Sequence, residues 1–499
     1  MTLSSQRSIH FFLLPPFLIL AYFALFWRLG HPALYIWDES LRAVSAMDMV
    51  EGGSWLVNQH TTKPPLMKWI QAVCLQLFGF SEVALRLPSA LSGLGTALLL
   101  IWFCSREIRQ PLIGYLSALV LLSAYGYVGP HATRTADTDA PLTLFLTISC
   151  FAYYRLLEHD RRRTLYLLLC AGAILIASLI KGIAGLFFLP GLFLYALFRG
   201  KLGVLFKFWQ LYAAIGVFVF AIVTYYVVRE WNNPGYFAHV WQYELGGRFG
   251  GVVQGHKGGP YYYLTNLITE RFTPWIFVLP FILPFLFLHP TRPYHPLVVL
   301  SLCCALSLLL VLSVASTKIA WYDVPTYPFL ALLTSIGIFL MADYFIMLYR
   351  LPFRAWHATV VVFLVLFIPS YRWILHKNRF PLGFSYYINW SQLEYGPFMQ
   401  HLKETNPSLK EYYILNPLNN THLYYYVHAY NHAYQYQLTH LSQIAQLPVG
   451  ATVMTCESSY LPPLAAQYDY VTLESYGHCR LLKLVRPHVA DSTQLTLQP

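Results

Sequence analysis

Long apolar runs recur along this chain, parted by short polar segments. A run of about 18 residues or more can cross a bilayer core of roughly 30 Å as a helix. Reading the apolar runs against the charged loops predicts about eleven spans, near 11–29, 83–103, 111–128, 140–157, 165–180, 183–198, 209–228, 272–288, 297–315, 326–347 and 356–370. The pair 165–198 is divided only by Lys181-Gly182. From residue 371 the hydropathy falls. Strand-like runs (EYYILN, ATVMTC, YDYVTLESY) alternate there with helical stretches such as YGPFMQHLKE. The pattern therefore predicts a polytopic α-helical membrane domain over 1–370 and a small C-terminal α/β domain over 371–499.

Between the first two predicted spans lies a polar stretch, residues 35–69, YIWDESLRAVSAMDMVEGGSWLVNQHTTKPPLMKW. In its first half Leu41, Val44, Met47 and Val50 recur at helical spacing and a Gly-Gly pair follows, which predicts an amphipathic helix lying in the membrane interface. Pro64 and Pro65 suit the start of a second helix ending near Gly79.

Composition sharpens the class. The chain is 57% hydrophobic and 11% charged, against about 25% charged in soluble domains, so most of it avoids water. The net charge of +11 is gathered in short loops: Arg106 and Arg109; Arg155 and Arg161–Arg163; Arg199, Lys201 and Lys207; Arg350 and Arg354. That is the positive-inside pattern, with lipid headgroups as the partners of these cations and no nucleic acid. With those loops cytoplasmic, 30–82, 129–139, 229–271, 316–325 and the chain after 371 fall on the opposite face. No small-x-small cleavage site follows 11–29, so it reads as a retained span. Six of the eight cysteines lie in or beside apolar runs and read as small buried hydrophobes; Cys456 and Cys479 are placed to pair if their domain is extracytoplasmic. Neither a metal-type Cys/His spacing nor a cofactor motif stands out, and a divalent metal is not indicated.

The outer face then gathers the candidate chemistry. Asp38 and Glu39 sit at the membrane edge after the first span. Lys63 stands just ahead of a helix N-terminus, where an ammonium and backbone N–H groups together suit a phosphate. Equally, Asp38 and Glu39 could be solvated interface charges and Lys63 a snorkelling lysine. The second outer loop carries Arg134, Asp137 and Asp139, of which one acid could simply cap the next helix. A Gly-rich stretch, YELGGRFGGVVQGHKGGPYYY, offers Arg248, His256 and Lys257 as a flexible clamp for an anion; its glycines are too irregular for a dinucleotide fingerprint. Lys318 and Tyr322 fall in a short turn, STKIAWYDVPTYP.

Several strings meet in one family. WDESLRA, KPPLMKW and FGFSEVALRLPSAL, then RTADTDAPLTLF, KGIAGLFFLP, YELGGRFGG, HKGGPYYYL, TPWIFVLP and STKIAWYDVPTYPFLALL, resemble in order the motifs of the lipid-linked-sugar glycosyltransferases. That group includes the bacterial aminoarabinose transferases of lipid A and is related to the protein O-mannosyltransferases. The resemblance covers about residues 10–340. It implies the GT-C membrane fold and an inverting transfer of a sugar from a polyprenyl-phosphate carrier, at the outer face of a bacterial inner membrane. It also implies that Asp38, with Glu39 beside it, and Asp139 belong to the catalytic site, and that Lys63, Arg248 and Tyr322 hold the carrier phosphate. The acceptor stays open between lipid A or another glycolipid and a protein Ser/Thr hydroxyl. A polyprenyl-lipid transporter is the non-enzymatic alternative. Transporters place ionisable groups at mid-membrane depth, whereas the charges here concentrate at one face, with Lys181 an exception.

Overall fold

The computed structural model describes residues 3–36, 38–56, 62–253, 255–287, 293–352, 354–379, 390–418, 420–444 and 447–487. The chain forms two compact units. One comprises Met1–Leu29, Gly53–Gln71 and Leu85–Phe380; the other comprises Gly30–Gly52, Ala72–Ala84 and Pro381–Pro499. The second unit thus takes in parts of the first polar stretch as well as the C-terminal residues.

The larger unit is a helical membrane domain. Among the described residues seven helices are long and apolar enough to span: Glu82–Glu107, Asp139–Glu158, Arg163–Leu186, Trp209–Asn232, His295–Val314, Ala320–Leu348 and Ala355–Arg379. Of the other four predicted spans, the first is a helix, Leu3–Leu25, that carries Pro15 and Pro16 without a break. The remaining three are short or broken, each for a local reason. Pro111–Leu122 stops at Ser123, and only the short turn Tyr125–Val128 continues it. Gly182 ends the Arg163–Lys181 helix at φ 59°, a region open to glycine, and after a 3-10 turn only Leu189–Phe198 remains helical. The eighth candidate, Tyr262–Arg271 with Trp275–Phe285, bends by 113° next to Pro274, which lacks the N–H that would continue the helical ladder.

Burial distinguishes the helices. Asp139–Glu158 is the most enclosed, with 78% of its apolar window buried, whereas Trp209–Asn232 buries none of its window. A helix apolar all round and unburied by protein suits contact with lipid. One polar knot lies inside the domain. Arg271 donates to Asp323 at 2.9 Å, to the Tyr327 hydroxyl at 3.1 Å and to the carbonyl of Gly126 at 3.1 Å; Tyr327 donates to Asp323 at 2.9 Å. A Cβ on Gly126 would overlap the Tyr327 hydroxyl, so the chain needs glycine at this crossing. The buried pair is hydrogen-bonded throughout, as buried charges must be.

The smaller unit is α/β, as the sequence pattern predicts. Its sheet has strands β1 (Glu411–Leu415), β2 (Gln437–Leu441), β3 (Thr452–Thr455), β4 (Tyr468–Tyr476) and β5 (Cys479–Pro487), in spatial order β2-β1-β3-β5-β4. β1 runs parallel to β2 and β3, with helix Thr421–Tyr434 as the crossover between β1 and β2; β5 pairs antiparallel with β3 and β4. Cys456 and Cys479, flanking the antiparallel β3–β5 pair, form the expected disulfide. The helix predicted from DESLRAVSAMDMV is Asp38–Val50, followed by Gly52 at φ 98°. It packs on Thr421–Tyr434, with the Ser40 and Thr421 hydroxyls 2.6 Å apart.

Candidate active site

In the membrane unit the site begins at the Lys63-Pro64-Pro65 turn. As predicted, a helix follows, Leu66–Phe78, with Gly79 at φ 77° closing it. Thr62 donates to Glu244 at 2.7 Å, and its carbonyl accepts from Tyr236 at 2.7 Å, so the residues around Lys63 are pinned to the helical stretch that begins at Tyr236. Arg229, buried and stacked 4.4 Å from the Tyr236 ring, donates to the carbonyl of Leu56 at 2.8 Å.

Lys63 and Lys181 line one cavity of about 520 Å³. Its wall is otherwise mostly apolar and aromatic, including Phe218, Ile222, Tyr226 and Trp241. Two ammonium groups at an apolar groove that runs along the lipid-facing Trp209–Asn232 helix are an amphipathic arrangement. It suits a ligand with an anionic head and a hydrocarbon tail.

Lys181 also ties this cavity to the remaining candidates. Its ammonium donates to Asp139 at 2.5 Å and sits 4.6 Å from the centre of the Tyr322 ring. Both side chains of the pair are nearly buried. Asp139 is the first residue of its helix, the end whose dipole favours a carboxylate. Arg248 also engages Tyr322, donating to the phenol oxygen, and its guanidinium carbon lies 5.8 Å from the ring centre. Asp139, Lys181, Tyr322 and Arg248 therefore form one continuous chain of contacts.

Asp137 belongs to a neighbouring cluster. It accepts from Thr135 at 2.8 Å and lies 3.1 Å from Nδ1 of His131, whose ring stacks on Trp321 at 3.7 Å. His131 holds φ at 59°, a left-handed conformation that costs a non-glycine residue roughly 1–2 kcal/mol.

Two cations named from sequence are engaged with helix ends. Arg134 donates to the carbonyls of Ala24, Trp27 and Arg28 at 3.1, 2.9 and 3.3 Å, at the end of the first helix. Lys318 is buried and donates to Leu312 at 2.9 Å and to Ser313, the last turn of His295–Val314; burial holds its ammonium below the usual lysine range. The orphan carbonyls of a helix C-terminus are natural partners for a cation.

The Gly-rich stretch is more ordered in form than an open loop. It is helical from Tyr236 to Gly250, and Thr317 and Lys318 then stitch it down. Thr317 donates from its backbone to Arg248 at 3.1 Å, and Lys318 to the carbonyl of His256 at 2.9 Å; Lys257 bridges Thr317. Lys257 is exposed and His256 half-buried.

In the smaller unit, Asp38 is the first residue of its helix, with a side chain 38% exposed. Arg42 holds it from one turn on, donating to its carbonyl at 2.9 Å with the carboxylate 3.9 Å away. Glu39 is buried and accepts from the backbone N–H of Tyr35 at 2.9 Å, a return contact like that of a capping box. The more exposed carboxylate is Asp38.

Sequence reasoning named Lys63, Asp139, Arg248 and Tyr322 as candidates but left Lys181 as an exception. The structure makes it the residue that joins them. The available signal was a lysine interrupting an apolar run, which in a membrane protein marks function by default.

Comparisons with known proteins bear on the fold and on family likeness. Residues 62–227 match the family model described as dolichyl-phosphate-mannose-protein mannosyltransferase. A protein of Aquifex aeolicus is 28% identical over 322 residues, covering 62% of this chain and 60% of that one. The undecaprenyl phosphate-alpha-4-amino-4-deoxy-L-arabinose arabinosyl transferase of Aeromonas salmonicida is 27% identical over 332 residues, covering 62% and 58%. The chain thus spans about 60% of the length of these curated relatives. Among solved structures, ArnT from Cupriavidus metallidurans bound to undecaprenyl phosphate has a TM-score of 0.66 at 16% identity, covering 97% of this chain and 98% of that one. The Archaeoglobus fulgidus oligosaccharyltransferase has a TM-score of 0.53 at 14% identity, covering 94% and 73%. The fold is that of the GT-C membrane proteins, and the chain resembles the lipid-linked-sugar glycosyltransferases. It is a multi-pass membrane protein.

Proposed function

We propose that this protein is an inverting glycosyltransferase that takes a sugar from a polyprenyl-phosphate carrier and passes it to an acceptor at the outer face of the bacterial inner membrane. The observation that carries this reading is the apolar cavity edged by Lys63 and Lys181, with Lys181 bound to Asp139 and packed on Tyr322. The carrier's isoprenoid lies along the cavity wall and its phosphate meets the two ammonium groups. Arg248, through Tyr322, completes the cationic side.

The chemistry asks little more. As the anomeric C–O bond breaks, negative charge builds on the departing carrier phosphate, and fixed cations stabilise that charge more in the transition state than in the ground state. The acceptor oxygen attacks from the opposite face of the sugar and forms the new C–O bond, which inverts the anomeric centre. Asp38, carrying the acidic position after the first helix of the family, attends the acceptor. A phosphate of lipid A arrives already ionised and has no proton to lose. A Ser or Thr hydroxyl would give its proton to Asp38. The names of the arabinosyl transferases among the relatives describe an undecaprenyl-phosphate-linked donor, which supports the carrier half of this reading.

Binding of polyprenyl phosphate to the purified full-length protein tests the donor half. The wild type should bind, and Lys63→Ala should weaken binding by at least 10-fold, a loss of about 1.4 kcal/mol. Equal affinity in the two proteins would remove Lys63 from the carrier site.

A further inference from the structure

A second cluster of chemically competent side chains lies wholly within the smaller unit, beyond the end of the Asp38–Val50 helix opposite Asp38. In YVHAYNHAY, His428 and His432 are four residues apart on helix Thr421–Tyr434, so their imidazoles share one face. Their rings lie parallel, with centroids 4.7 Å apart and planes within 5°. Glu51, directly after the Asp38–Val50 helix, brings Oε1 to 3.0 Å from Nδ1 of His428. One ligand atom from each of the three lies within 4.8 Å of the other two.

We propose that Glu51, His428 and His432 bind a divalent transition-metal cation of the zinc type, which fastens helix Asp38–Val50 to helix Thr421–Tyr434. Two imidazoles and one carboxylate form a recurrent zinc ligand set, with a fourth position for water. Ligands about 2.0–2.2 Å from a tetrahedral ion stand roughly 3.3 Å apart, which these side chains reach by small rotations. His432 is exposed and the His428 and Glu51 side chains are partly exposed, so room remains for those rotations and the ion has an entry path. Imidazole selects zinc-like ions over magnesium and calcium, which prefer all-oxygen sites.

The site also has a mechanical logic. Ser40 meets Thr421 near the start of both helices, and Glu51 meets His428 and His432 eleven residues on along one and seven to eleven along the other. The two helices therefore run parallel, joined near both ends. The metal would secure the far end of the helix that begins with Asp38. This inference does not depend on the glycosyltransferase reading.

Equilibrium dialysis of the full-length protein tests it, using material in detergent, stripped with chelator and carrying no polyhistidine tag. Against Zn²⁺, metal analysis should find one zinc per wild-type chain, with none retained against Mg²⁺. His432→Gln and Glu51→Gln, both at exposed positions, should lose that zinc while the Cys456–Cys479 bond still forms. With Co²⁺ as the probe, the visible d–d bands of a four-coordinate ion should appear in the wild type and vanish in His432→Gln. Zinc held equally by wild type and His432→Gln would overturn the site. So would a wild type that takes up none, leaving only a Glu51–His428 ion pair.

Discussion

Lys181 shows at the scale of one residue how position decides chemistry. In the sequence it interrupts an apolar run; in the fold it bonds to Asp139 and covers Tyr322. Removing one member of a buried pair strands the other, at a cost of about 3–5 kcal/mol. Lys181→Met should therefore lower thermal stability markedly, while Asp139→Asn together with Lys181→Met should restore most of it, leaving transfer activity lost in both. A double variant as unstable as Lys181→Met in thermal denaturation would contradict the pairing. The residues legible in advance were those beside a backbone signal, such as Lys63 before two prolines. Arg134 and Lys318 were legible only as outer cations. Their engagement with helix-end carbonyls depends on long-range packing that no local pattern encodes.

At the scale of elements, the sequence marks where a helix can start and stop better than how far it crosses. The Asp38–Val50 and Leu66–Phe78 helices end at the glycines expected of them, because a positive φ is a local requirement. Three predicted spans proved short or bent, because hydropathy averages over breaks made by single residues such as Gly182 and Pro274. His428 and His432 were equally local, four apart on one helix, but their carboxylate partner lies far away in sequence. The same helix carries His422, whose burial pushes its imidazole down to about 4 from an ordinary 6.5. The unfolded chain therefore binds a proton that the folded unit refuses. The associated stability is complete above about pH 6.5 and falls as pH drops toward 4, by up to about 3 kcal/mol. Denaturant unfolding of the full chain between pH 7.5 and 4.5 should show this slope, and His422→Leu should flatten it. An unchanged slope in the variant would assign the pH dependence elsewhere.

At the scale of the molecule, a helical membrane unit and a small α/β unit were both foreseen from the shift in composition. Their membership was not, since Gly30–Gly52 and Ala72–Ala84 group with the C-terminal residues. Contacts between segments hundreds of residues apart leave no trace in composition. The Cys456–Cys479 bond closes a loop of 23 residues, a constraint worth about 3 kcal/mol on the unfolded chain. Cys456→Ser should destabilise the smaller unit by about that amount in oxidising conditions. Reductant should then have no further effect on the variant, and a wild type indifferent to reductant would contradict the estimate.

The central claim is transfer from a polyprenyl-phosphate sugar, and product mass measures it most directly. Full-length protein reconstituted with an undecaprenyl-phosphate pentose and lipid A should yield lipid A heavier by one sugar residue. The rate should fall about 100-fold or more in Lys63→Ala and in Asp38→Asn. Lipid A unchanged while a protein acceptor gains the sugar would shift the acceptor and leave the mechanism standing. No transfer to either acceptor, or wild-type rates in both variants, would contradict the account.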